Sequence, residues 1–137
     1  MKIFILPIFI YSSFCFASIK LEGTYSFPKK TTHLAIYKSG EFYEGKISWV
    51  QDNKLDSKNP DPQLRNRTIE NLVILKNLKQ TDENIYSGGE AYDPETGNTY
   101  RCKVWFENNN ANKLFVRGYI GIPLLGRSSE LTRIESK

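Results

Sequence analysis

The residues with which this chain could do chemistry are few and scattered. Its single histidine, His33, lies in no H-E-x-x-H or G-x-S-x-G pattern, so neither a zinc protease helix nor a nucleophile elbow is spelled out. Cys102 alternates with apolar residues in "TYRCKVWFE" and reads as a small buried hydrophobe. A cysteine nucleophile would need an imidazole beside it. Asp56, Asp61, Glu90 and Asp93 are of the type that glycoside hydrolases pair, but no spacing selects two of them. Asp93 and Glu95 stand in "DPETGN", where a calcium loop would require oxygen ligands at regular positions. Turn chemistry accounts for that stretch instead. Pro94 suits a corner of fixed φ, Gly97 a corner of positive φ, and the Asp93 carboxylate can cap the turn backbone. No catalytic residue, metal site or cofactor is expected, and the chain does not read as an enzyme.

Binding chemistry is better represented. Lys58, Arg65 and Arg67 make the polar stretch "QDNKLDSKNPDPQLRNRTIEN" (51–71) cationic, a place where an anion could dock. A segment of this length between strands is either functional or a packed cover. Tyr43, Trp49 and Tyr100 alternate in phase with apolar neighbours, and Arg117 lies in another alternating run. The expected site is a mostly apolar pocket with Tyr43, Trp49 and Tyr100 as walls. Arg65, Arg67 and Arg117 would be its polar anchors.

The elements that would carry these residues are strands. Short apolar or aromatic runs are separated by turn signals such as "KSGE", "DPETGN" and "NNNAN", with no long helical periodicity. Strands are expected at 21–27, 32–38, 42–50, 72–78, 85–92, 99–107, 114–120 and 128–134. Short sequential links favour antiparallel neighbours, and about eight such strands close into an up-and-down barrel. Gly45, Gly89 and Gly118 inside strands fit the bends of a curved sheet. The fold class is therefore all-β: one antiparallel barrel with a long loop between the third and fourth strands.

The first 17 residues stand apart. Lys2, an apolar run from Ile3 to Ile10 and small residues up to Ala17 form a signal-peptide pattern, so residues 18–137 are the expected domain and the location is periplasmic or secreted. Phe14 precedes Cys15, which is the wrong neighbour for lipidation. Removing the leader takes away Lys2 and Cys15, leaving Cys102 alone and no internal disulfide. The formal charge of +4 over 137 residues is dispersed among acids, without the basic run of a nucleic-acid arm.

Three segments, "LDSKNPDPQLRNRTIENLVILKNL", "YSGGEAYDPETGNTYRCKVW" and "LFVRGYIGIPLLGRSSELTR", together resemble domain of unknown function 2147, a family of exported bacterial proteins. The shared motifs are Asp56 and Asn59-Pro60 before Arg65 and Arg67, then G-G-x-x-Y-D-P-x-x-G-x-x-Y from Gly88 to Tyr100, then R-G-Y-x-G from Arg117. The resemblance implies a small calycin-like barrel, similar to lipocalins and streptavidin. In such barrels a G-x-W packs near an arginine of the last strand and closes one end. Here Gly23-Thr24-Tyr25 and Arg133 take those positions, with Tyr for Trp, and Leu131 where the family carries a Trp. Both departures imply a weaker aromatic plug. The resemblance brings no reaction or ligand. Two readings remain: a barrel binding a small molecule at its mouth or interior, or a non-catalytic envelope module that contacts a partner protein through the 51–71 loop.

Overall fold

The computed structural model describes residues 2–10, 19–121 and 126–134. Eight strands follow one another, each pairing antiparallel with the next and the last with the first: β1 (Gly23–Ser26), β2 (Thr32–Ser39), β3 (Phe42–Val50), β4 (Val73–Asp82), β5 (Ile85–Asp93), β6 (Asn98–Trp105), β7 (Lys113–Tyr119) and β8 (Gly126–Ile134). The result is a closed up-and-down barrel. Among the described residues, no helix is long and apolar enough to cross a membrane. The apolar residues Ile3 to Ile10 lie outside the barrel strands and are exposed. Ala17, with the expected cleavage point, and Cys15 fall outside the described residues.

Alternation along the strands fills the barrel from one end. Leu34, Ile36, Ile47, Leu75, Leu78, Tyr86, Cys102, Val104, Leu114 and Leu131 form the buried core. Burying each of these large apolar side chains stabilises the fold by about 1.5–3 kcal/mol before entropy is charged against it. Gly89 has no Cβ because Leu78 occupies that space; an added carbon would lie 2.7 Å from its Cδ2. Gly89 therefore serves packing as well as curvature.

Alternation breaks in several places, and three of the breaks are central to where side chains aim. Ser48 is an extra residue on β3 between the pairs Leu34↔Ile47 and His33↔Trp49. A one-residue bulge flips every side chain beyond it. Trp49, expected to share the inner face with Ile47, accordingly stands on the outer wall, 40% exposed, with its ring 4.7 Å from that of His33. Asn77 on β4 and Gly88 on β5 are the other two, both with positive φ (60° and 73°). Pairing between β4 and β5 stays in register past them, from Leu75↔Ala91 to Lys79↔Ser87. The shifts appear instead against β3 and β6.

Candidate functional site

The two ends of the barrel are built differently. At the floor, where the chain enters β1 and leaves β8, Arg133 donates from Nε to Ala111 O (2.8 Å), from Nη1 to Glu22 O (3.1 Å) and from Nη2 to Lys20 O (2.7 Å). Its guanidinium carbon lies 4.8 Å from the Tyr25 ring centre and 5.8 Å from that of Phe106. Gly23 is required beneath it, since a Cβ there would come within 2.5 Å of Nη1. Tyr25 is fully buried and donates to Leu21 O at 2.7 Å. Burial pushes its phenol up to about 12 even with the Arg133 charge pulling the other way. Phe106 supplies the second ring that Leu131 does not. Tyr43 also belongs to this end, packed edge-on against Tyr86 with ring centres 5.2 Å apart.

At the opposite end, residues 51–72 fold back on themselves. Leu55 bridges Thr68, and Asp56 N donates to Arg67 O at 2.8 Å. A single 3₁₀ turn over Pro62–Leu64 makes the bend, with Asp61 accepting from Gln63 N at 3.0 Å. This return places Asp56 beside Arg67. Asp56 is fully buried, and its carboxylate accepts from Asn59 Nδ2 (2.8 Å), Arg67 Nε (2.9 Å) and the Tyr92 hydroxyl. Burial alone would raise its pKa; the donors from Tyr92, Asn59 and Arg67 outweigh that and hold it below the usual carboxylate range. The Tyr92 phenol rises to about 12, through burial and then through its bond to Asp56.

Arg65 serves the same fold, donating from Nε to Asn59 O at 2.8 Å. The β5–β6 turn docks on it too. Asp93 accepts from Glu95 N (2.9 Å) and Thr96 Oγ1 (3.1 Å), and Gly97 (φ 77°) lies so close to Lys58 that a Cβ would meet its carbonyl oxygen at 2.0 Å. One buried carboxylate thus ties the long loop to the β5–β6 hairpin.

The six expected pocket residues do not converge. Tyr43 is in the floor, and Trp49 is on the outer wall because of the Ser48 bulge. Arg117 pairs with Lys103 and Ser128 on the outer face and donates to Ser128 Oγ at 2.7 Å, so it is no interior anchor. Its phase opposes that of Leu114 and Val116, which pack inward. Arg65 and Arg67 lie in the loop. Tyr100 alone faces the upper interior, two residues before buried Cys102.

Around Tyr100 the inward row of β8 becomes exposed toward this mouth of the barrel. Antiparallel partners share a face, so Leu131 opposite Leu114, Ser129 opposite Val116 and Arg127 opposite Gly118 form an inward row along β8. Leu131 is fully buried, whereas Ser129 and Arg127 are exposed. The cause is the length of β1. It pairs with β8 only at Thr24, Tyr25 and Ser26, so β8 runs on beyond it. Among the described residues Arg127 makes no ion pair. No three potential metal-ligating side chains come together among the described residues. Burial pushes the Cys102 thiol up to about 12, far from a nucleophile's range.

Comparison with known proteins agrees with this architecture. The model of a family described as "Uncharacterized protein conserved in bacteria (DUF2147)" matches residues 23–133. The chain belongs to this family. The matched span begins at the glycine under Arg133 and ends at Arg133 itself, so it runs from one half of the floor closure to the other. Protein HP1028 of Helicobacter pylori, a member of the lipocalin family, superposes with a TM-score of 0.78 at 23% identity, over 86% of this chain and 85% of that one. The DUF2147 barrel is therefore lipocalin-like in fold. No curated sequence matches the chain.

Sequence reasoning missed Tyr92, Ser129 and Arg127. Tyr92 lies within the G-G-x-x-Y-D-P motif, but its aim depends on the Gly88 bulge. Ser129 and Arg127 carry no motif, and only the shortness of β1 sets them apart.

Proposed function

We propose that this DUF2147 protein is an exported, non-catalytic carrier that takes a small amphipathic molecule into the mouth of its barrel. The observation that carries this reading is the gradient along β8, from buried Leu131 to exposed Ser129 and Arg127 on one inward row. Such a cup offers Val116, Gly118 and the Tyr100 ring as walls and Arg127 as a cationic anchor, which suits an acidic head on an apolar body. The leader pattern of residues 1–17, exposed where described, supports a periplasmic or secreted location. There the single remaining cysteine is no handicap, because the core does the stabilising.

The test is native mass spectrometry of protein purified from a periplasm, with a dansyl-tagged medium-chain carboxylate as fluorescent probe. The expected result is a small-molecule adduct lost on unfolding, and probe binding that Gly118→Trp abolishes. Position 118 has room for a first carbon, 3.6 Å from Tyr100 Cβ, and a large ring there would fill the mouth. A clean apo mass with no probe binding overturns the carrier reading. It would favour a partner surface on the long loop, where Leu55 and Leu64 are 49% and 36% exposed.

A further inference from the structure

The outer wall carries a recess that is separate from the mouth. It holds about 180 Å³, half open, where the long loop meets β4, β5 and β6. Ile74 forms part of its base, and Lys76, Glu90, Thr99 and Arg67 rim it. Lys76 lies directly opposite Glu90, and Thr99 opposite Tyr92. Ile74 is the extra residue between the pairs Gly45↔Leu75 and Lys46↔Val73; it is only 9% exposed and lines the recess.

Three features of this rim go beyond an ordinary solvated face. Arg67 spends Nε on Asp56 and keeps its side chain 38% exposed. The guanidinium plane is thus fixed by a buried carboxylate, and no Nη atom hydrogen-bonds another described residue. Asp56 accepts from three donors and takes only Nε from Arg67, so it orients the guanidinium and leaves the Nη edge outward. Lys76 forms no ion pair with Glu90 across the strand, nor does Glu90 pair with Arg101 on its other side; the ion pairs among the described residues are Arg67–Asp56 and Lys113–Glu130.

We infer that this recess binds a small aliphatic carboxylate, its head on the Arg67 Nη edge and Lys76 and its chain over Ile74. A pre-oriented guanidinium is suited to planar carboxylates, and less of its entropy is lost on binding. Val73 and Ile74, the apolar part of an otherwise polar lining, favour a ligand with a short hydrocarbon body over a bare inorganic anion. Glu90 is placed to receive an ammonium group, if the ligand carries one. Asp56 acts as a positioning residue for Arg67.

The experiment is an NMR titration of the full mature chain, following the amides of residues 74–76, 90–92 and 99, with isovalerate, L-leucine and inorganic phosphate as probes. Saturable shifts are expected with isovalerate or leucine, and at least about tenfold weaker ones with phosphate, a gap of about 1.4 kcal/mol. Lys76→Ala, an exposed position that leaves the fold intact, should weaken binding about tenfold. If leucine binds more tightly than isovalerate and Glu90→Gln removes the difference, the source is an amino acid. If isovalerate binds equally or better, it is a simple carboxylic acid. The absence of saturable shifts, or phosphate binding as well as the carboxylates, overturns the inference. Gly118→Trp should leave these shifts unchanged and Lys76→Ala should leave the mouth probe unchanged, so the two sites stand or fall separately.

Discussion

Two arginines hold the two ends of this barrel, and they are used in opposite ways. Arg133 gives Nε, Nη1 and Nη2 to three backbone carbonyls and its face to two rings. Each of its three nitrogens is engaged by the backbone. Arg67 gives only Nε to a buried carboxylate and leaves its outer edge to a recess. The floor arginine has no acidic partner, so its bonds persist wherever the carbonyls do. The rim arginine depends on a titratable one. A guanidinium engaged at all three nitrogens acts as a structural plug, and one engaged only through Nε keeps its outer edge available.

The strongest way to break this contrast is at the floor. Arg133→Ala removes three charge-assisted bonds and the cation–π contacts together, and should cost about 4 kcal/mol, measured by urea unfolding. Arg67→Ala, which gives up one such bond at a half-exposed site, should cost much less, about 1–2 kcal/mol. Equal losses would mean that the rim arginine is as structural as the floor one.

Next in size is the rim carboxylate. Asp56→Ala strands Tyr92, Asn59 and Arg67 as donors around a buried gap and should cost about 3 kcal/mol. The wild-type loop should also be sensitive to acid. The Asp56 pKa is lower folded than unfolded, so its contribution is complete above the ordinary carboxylate value. It is lost as pH falls through the depressed folded value. Hydrogen-exchange protection in residues 54–69, taken relative to the intrinsic rate at each pH, should therefore fall below about pH 4, before that of the floor strands. Simultaneous opening of both ends would remove the distinction between them.

How far these ends were legible from sequence follows from what set each residue's aim. Strand positions and closure follow from alternation and turn signals, and β3 spans Phe42–Val50 as expected. The floor followed from the resemblance, because Gly23, Tyr25 and Arg133 act through backbone proximity that the motif preserves. Trp49 as a wall and Arg117 as a polar anchor lie outside the interior for distinct reasons. A bulge at Ser48 cannot be seen in a run that still alternates. Arg117 was already out of phase with Leu114 and Val116, and only its charge suggested a site. The mouth depends on β1 ending at Ser26 while β8 continues, and strand length is the least legible property of a sequence. The Asp56 network joins residues 36 apart in the chain, and only a fold brings them together.

The subtlest test makes the same one-atom deletion at both ends. Tyr25→Phe removes a hydroxyl that is fully buried and bonded to Leu21 O at 2.7 Å. The carbonyl left behind has no water to replace it, so the change should cost about 1–2 kcal/mol. Tyr100→Phe removes a hydroxyl whose bond is to exposed Asn98 Nδ2 at 3.4 Å. Water replaces that bond, and stability should stay within about 0.5 kcal/mol. If Tyr100 lines a working mouth, its loss should appear instead in the affinity of the fluorescent carboxylate probe. Tyr25→Phe should leave that affinity unchanged once the protein is folded. A stability loss at Tyr100 as large as that at Tyr25 would mean that the mouth is packed like the floor, and a packed mouth has no room for a ligand.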